Sequence, residues 1–161
     1  MPIAIYPGSF DPIHLGHVDI TRRAAQLFDH VYFAIYDRPN KNLLFPTAER
    51  ITLAEEALAD LKNVTVISYR ELTVDLAKRL GADVIVRGLR AISDFEWELQ
   101  LALTNRELAP NVEVVCLMTR IEYAFLSSTI VKEVASLHGD VAKMVPPNVE
   151  IALKAKFGGE G

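Results

Sequence analysis

The sequence predicts an α/β fold: a doubly wound, five-stranded parallel sheet with helices on both faces. Three observations lead there. Five short runs rich in apolar and β-branched residues recur along the chain, stretches with helical spacing fill the intervals, and residues able to carry chemistry cluster just after the runs. Strands that alternate with helices form parallel sheets through right-handed crossovers. In such sheets ligands gather at the carboxyl ends of the strands, near the switch in strand order.

The five runs cover 3–6, 31–36, 64–68, 84–87 and 112–118. The first four are largely continuous rather than alternating, the pattern of strands covered on both faces. The fifth holds Val112, Val114, Val115, Cys116 and Leu117, and Pro110-Asn111 marks its start. Between the first two runs a helix is expected to begin near His14. After Pro46, Thr47 is expected to cap a helix along which Ile51, Ala54, Leu58 and Leu61 share a face. Thr73 caps a shorter one through Leu76, Ala77 and Leu80, with Gly81 placed to stop it. Ser93 and Glu96 have the spacing of a capping box. The helix they open carries one apolar stripe of Phe95, Leu99, Ala102 and Leu103 and a second of Trp97, Leu101 and Leu108. One side is expected to pack on the sheet and the other to suit a subunit contact. Ile130, Val131, Val134 and Leu137 form a further amphipathic pattern ended by Gly139, and Pro146-Pro147 leads a last helix with Val149, Ala152 and Leu153. Residues 158–161 have nothing to bury and are expected to fray. There is no internal repeat, low-complexity block or linker, so 1–161 reads as a single domain.

Composition narrows the functional classes. In 161 residues, 17 Lys+Arg against 21 Asp+Glu leave a net charge of −4, which disfavours broad nucleic-acid binding through a basic surface. A small anionic ligand remains compatible, because a few cations in one cleft dominate the local field. The single cysteine, Cys116, rules out an internal disulfide and a four-cysteine zinc site. The start shows no secretory pattern, and the apolar runs fall far short of the ~20 residues of a membrane helix. A reduced, cytoplasmic, soluble protein with no membrane partner is the expectation.

Three clusters follow the strands. The first run leads into Tyr6-Pro7-Gly8-Ser9-Phe10-Asp11-Pro12-Ile13-His14-Leu15-Gly16-His17. Gly8 is suited to a sharp turn, with Pro7 and Pro12 stiffening the loop. At a helix start His14 and His17 lie on one face, Gly16 lets an anion approach the backbone, and the orphan N–H groups favour negative charge. The same histidines also read as metal ligands or as ordinary surface residues. Gly8 and Gly16 do not fit a dinucleotide fingerprint. The second cluster, Arg87-Gly88-Leu89-Arg90, offers two planar forks for phosphate at a strand end, or a solvated loop. Lys41, after the second run, is able to bring one more charge. The third cluster is Tyr123-Ala124-Phe125-Leu126-Ser127-Ser128-Thr129, whose three consecutive hydroxyls exceed what one helix cap uses. Lys132 either adds charge there or faces solvent.

Together these segments resemble the bacterial phosphopantetheine adenylyltransferases of the HxGH nucleotidyltransferase superfamily. HxGH is shared with several other nucleotidyltransferases; Arg87-Gly88-Leu89-Arg90-Ala91 followed by Asp94-Phe95-Glu96-Trp97-Glu98-Leu99-Gln100 is the discriminating piece. The resemblance covers nearly the whole chain and implies a Rossmann-like nucleotidyltransferase fold. It implies transfer of AMP from ATP to 4′-phosphopantetheine by direct in-line attack, giving dephospho-coenzyme A and pyrophosphate, the penultimate step of coenzyme A synthesis. It also implies Mg²⁺ on the ATP phosphates and a homohexamer. By the same resemblance His17, Lys41 and Arg90 are catalytic. Ser9, Phe10, His17, Gly88, Leu89, Arg90, Glu98 and Tyr123, Ala124, Phe125, Leu126, Ser127, Ser128, Thr129 meet ATP; Ser9, Lys41, Thr73 and Arg87 meet the acceptor. Ser9 stands where many members have Thr and keeps the hydroxyl, and Lys132 stands where related enzymes often have Arg. Other readings are a nucleotidyltransferase with a different phosphorylated acceptor or CTP, and a non-catalytic nucleotide sensor, which would be expected to have lost His17, Lys41 or Arg90.

Overall fold

A computed structural model describes residues 2–38, 42–90 and 92–158. Its elements run β1 (Ile3–Gly8), α1 (Leu15–Leu27), β2 (His30–Tyr36), α2 (Thr47–Ala57), β3 (Val64–Tyr69), α3 (Thr73–Leu80), β4 (Val84–Leu89), α4 (Ile92–Leu108), β5 (Glu113–Met118), a 3₁₀ turn (Ile121–Tyr123), α5 (Ser128–Ser136) and α6 (Pro147–Phe157). The strands form one sheet in the order β3-β2-β1-β4-β5, every pairing parallel. All five expected strands are present, with β1 and β4 each extended two residues toward the loops that carry the candidate site. Strand order reverses between β1 and β4, which pair through Ala4 with Val84 and Ile5 with Ile85.

Alternation along β1 divides the core. Ala4 and Tyr6 face the larger cluster with Phe10, Ile20, Phe33, Leu53, Leu126, Val131 and Leu153, beneath α1, α2, α5 and α6. Ile5 faces the smaller cluster with Ala34, Val74, Leu76, Ala77, Ile85 and Val112. Central β1 is therefore apolar at consecutive positions, as a strand covered twice must be.

Several helix ends differ from the sequence reading. Thr47 and Thr73 are first helical residues rather than caps; Pro46 and Leu72 stand at the cap positions with no side-chain capping bond. The Thr47 hydroxyl is bound to Asp37 instead and that of Thr73 to the Tyr69 hydroxyl, so tertiary partners outcompete the local N–H groups. Ser93 lies inside α4, which starts at Ile92. Gly81 stops α3 at φ 65°, as expected, but the left-handed residue after α5 is His138 at φ 62°, one position before Gly139. Gly139 is small for another reason: a Cβ there would come within 2.7 Å of the Val134 Cγ1. Gly158, expected to fray, closes α6 in the left-handed conformation; 159–161 lie outside the described residues.

Helix α4 departs most. Its stripes do not pack on the sheet: Phe95, Trp97, Leu99, Leu103 and Leu108 are all exposed, Leu103 at 59%. Among the described side chains of this helix the buried one is the acid Glu98.

Candidate active site

Where β1 and β4 end side by side, their loops and the start of α1 enclose a cavity of about 330 Å³. Its lining includes Ser9, Phe10, His17, Arg87, Gly88, Arg90, Glu98, Tyr123, Leu126, Ser127 and Ser128 from the sequence reading. Leu89, Ala124, Phe125 and Thr129 flank that wall without lining it, and Thr73 stands apart at the start of α3. Lys41 lies outside the described residues.

The chain reaches this cavity through a turn that differs from expectation. The left-handed residue is Phe10, at φ 48°, rather than Gly8. A Cβ on Gly8 would meet the Phe10 ring at 2.9 Å, so the glycine makes room for that ring. The ring in turn stacks on Phe33 with centroids 4.0 Å apart and meets the His17 ring nearly perpendicular, with centroids 4.8 Å apart. An uncommon backbone conformation for an aromatic residue is thus held by packing below and a histidine above.

His14 and His17 form a reciprocal cap on α1. His14 Nδ1 accepts the N–H of Gly16 at 3.0 Å and of His17 at 3.4 Å, while His17 Nδ1 accepts the N–H of His14 at 3.1 Å. The rings stack at 3.6 Å. A Cβ on Gly16 would lie 2.8 Å from the His14 ring, so this glycine admits the ring as well as leaving the backbone open to the cavity. Because each Nδ1 is an acceptor, each ring proton sits on Nε2. Burial pushes the His14 imidazole down to about 3. It holds His17 well below the ordinary value too, with His14, Arg90 and Arg87 adding to the effect. The pair therefore presents neutral N–H dipoles. That arrangement leaves neither ring a lone pair for a metal, which removes the metal-ligand reading of this motif.

The opposite wall is charged and already paired. Arg87 forks onto Glu98 with two contacts of 2.9 Å and reaches the carbonyl of Pro7 at 3.1 Å. Arg90 binds Asp94 through Nε at 3.0 Å and the Leu126 carbonyl through Nη1 at 2.7 Å, tying the end of β4 to the approach of α5. Of the three consecutive hydroxyls, Ser127 supplies the one cap of α5 through the N–H of Ile130, and Ser128 is not spare for ligand but donates to the carbonyl of Pro12. Lys132 does not line the cavity: half-buried, its Nζ pairs with the buried carboxylate of Asp11 at 3.1 Å.

Sequence reasoning did not single out Tyr6, Asp94, Trp97 or Thr119 as site residues, although all line the cavity, nor Asp11 and Arg50 beneath it. Thr119 directly follows β5, the one position in this set that the strand-end rule marks. Among the described residues no three His, Cys, Asp or Glu side chains gather as a metal site, and no helix is long and apolar enough to cross a membrane.

Comparison with known proteins places this geometry among nucleotidyltransferases. The cytidylyltransferase-like family model matches residues 5–134. A phosphopantetheine adenylyltransferase from Chloroflexus aurantiacus is 53% identical over 161 residues, covering all of both chains. One from Alkaliphilus metalliredigens is 50% identical, covering 96% of this chain and 97% of its own. In fold, the chain is similar to a Vibrio parahaemolyticus protein provisionally assigned as a nicotinate-nucleotide adenylyltransferase, with TM-score 0.74 over 95% of this chain and 99% of that one, at 20% identity.

Proposed function

The chain belongs to the cytidylyltransferase-like family and, within it, to the phosphopantetheine adenylyltransferases; from that premise we propose that it transfers AMP from ATP to 4′-phosphopantetheine. A phosphate oxygen of the acceptor attacks the α-phosphorus in line, the bond to the bridging oxygen breaks, and pyrophosphate leaves with its electron pair. Dephospho-coenzyme A is the other product, one step short of coenzyme A.

The observation that carries this reading is the meeting of two kinds of donor at the β1/β4 junction: neutral imidazole N–H groups at a helix start, and two arginines at a strand end. The nucleophile is already an anion, so no protein base or covalent intermediate is required. Catalysis rests on placement and on stabilising charge as the phosphoryl group becomes pentacoordinate. His17 directs its Nε2–H at that developing charge with little cost of reorganisation, because its ring is fixed by the His14 N–H and the Phe10 ring. Ser9 and Phe10 meet both substrates. Arg87, with Lys41 and Thr73, takes the acceptor, and Glu98 pairs with the Arg87 fork and contributes to the nucleotide wall. Gly88, Leu89 and Arg90 face ATP, and 123–129 close over its base and outgoing phosphates.

Mg²⁺ would be carried by triphosphate oxygens and water, the mode it favours when dedicated protein ligands are few; it neutralises polyphosphate charge there. Support for assembly into a homohexamer comes from the exposed Phe95, Trp97, Leu99, Leu103 and Leu108 of α4, apolar side chains that a subunit contact would cover. A cytoplasmic location suits a soluble biosynthetic enzyme of this class. The direct test incubates purified protein with ATP, Mg²⁺ and 4′-phosphopantetheine: stoichiometric pyrophosphate and dephospho-coenzyme A are expected, and release of neither overturns the reading.

A further inference from the structure

We propose that Arg50, wholly enclosed beneath the cavity, is a positioning residue for the transfer reaction: its guanidinium fixes the peptide between Ser9 and Phe10, and thereby where that turn meets the reacting phosphates. The inference rests on the activity proposed above and goes beyond it, since Arg50 touches no substrate.

Arg50 is 1% exposed and is the largest fully buried side chain among the described residues. Charged groups are almost never enclosed without strong partners. Here those partners are backbone oxygens. Nε donates to the carbonyl of Phe45 at 3.0 Å, Nη1 to the carbonyls of Ser9 at 2.8 Å and Tyr36 at 3.0 Å, and Nη2 to the Thr47 hydroxyl at 2.9 Å. Three segments distant in sequence therefore converge on one planar cation: the turn after β1, the end of β2 and the start of α2. The Thr47 hydroxyl in turn donates a hydrogen bond to the Asp37 carboxylate at 2.7 Å, which links the cluster to a counter-charge.

The Ser9 carbonyl gives this cluster its consequence for chemistry. A trans peptide sends its C=O and N–H in opposite directions. A Ser9 carbonyl drawn down to Arg50 turns the Phe10 N–H away from the core. The same peptide precedes Phe10 at φ 48°, a conformation its surroundings must impose. A second strut holds the other side of the turn: Asp11 accepts the N–H groups of Leu44 and Phe45, both at 2.9 Å, and pairs with Lys132. An apolar residue of equal volume at position 50 would fill the space more cheaply but remove the single fork that joins the carbonyls of Ser9, Tyr36 and Phe45. Lysine has three donors on a point charge and lacks the planar fork that spans the acceptors.

The test compares parent, Arg50→Lys and Arg50→Gln, assayed well below their melting temperatures with folded fraction checked by circular dichroism. The expected result for whichever variant folds is a kcat lowered about 10- to 100-fold, with Kd for ATP within about threefold of the parent, and Lys retaining more activity than Gln. A purely structural Arg50 would lower the melting temperature and leave kcat per folded molecule within twofold; that outcome overturns the proposal, as does failure of both variants to fold at 20 °C. An inactive parent overturns the functional reading itself, and this inference with it, whereas an active parent with unaffected variants overturns this inference alone.

Discussion

The two walls of the cavity reach the same end by opposite means. The wall built from the β1–α1 turn is uncharged where it meets ligand: two imidazoles hold each other's backbone N–H groups, and the Phe10 ring braces one of them. The wall built from the end of β4 is ionic, with Arg87 committed to Glu98 and Arg90 to Asp94. Dipoles fixed by the backbone need no rearrangement as charge develops on a phosphoryl group. Under the proposed function, arginines parked on acids would share or surrender those contacts to a polyphosphate, and the pairing offsets the mutual repulsion of two neighbouring cations. The first wall is suited to the transition state, and the second to capturing and releasing anions.

The sharpest way to break that contrast is His17→Ala. If the neutral wall acts on the transition state, kcat falls on the order of 10²–10³, the scale of one lost oxyanion donor, while ATP still binds. Unchanged turnover in a steady-state assay would take His17 out of that role.

Next in size is the pH response of stability. Both imidazoles are neutral in the fold and ordinary when unfolded, so below about pH 6.5 the unfolded chain takes up protons that the native state refuses. Stability is therefore lost as pH falls below about 6.5, each histidine steepening the slope toward the limit of one proton taken up on unfolding. Urea denaturation at pH 7, 6 and 5 measures it. His14→Asn keeps a capping oxygen without a titrating ring and should halve that slope. A slope the same in both proteins would mean that His14 is not neutral in the fold.

Much of the neutral wall is legible in contiguous letters, because Tyr6 through His17 turn from strand to helix within one stretch and the HxGH spacing fixes the shared face. What the letters conceal there is which residue turns left-handed: Gly8 invites that role, yet packing against Phe33 assigns it to Phe10. The ionic wall is less legible. Arg87 and Glu98 are separated by 11 positions across a strand end and a helix, a spacing that no local periodicity marks. Asp11 and Lys132 are 121 positions apart. Arg50 has no mark in a helix recognised by its apolar face, yet it joins the turn after β1, the end of β2 and the approach to α2. Helix α4 misleads in the other direction, since apolar periodicity announces a buried face without saying what buries it.

The ionic wall offers its own test in Glu98→Gln. Removing one charge leaves Arg87, 28% exposed at its side chain, without its counter-ion, and the fold should lose about 1–3 kcal/mol. The freed guanidinium should at the same time bind anions more tightly, so pyrophosphate inhibits at lower concentration. Loss of stability with weaker pyrophosphate binding would mean that Glu98 organises the wall rather than competing with ligand.

Asp94→Asn should do least, and its smallness is informative. The Arg90–Asp94 pair joins residues four apart, is partly solvated at 39% and 23% exposure, and has the worth of an exposed ion pair, about 0.2–1 kcal/mol. Asn retains an oxygen for the Arg90 N–H, now bound at 3.0 Å. Arg90 keeps its bond to the Leu126 carbonyl in any case, so its position relative to the α5 approach survives. Calorimetry should therefore show a shift near the limit of detection, with kcat within a few-fold of the parent. A large loss of kcat at unchanged stability would show that Asp94 aims Arg90 at the nucleotide, and would make the ionic wall as tightly preset as the neutral one.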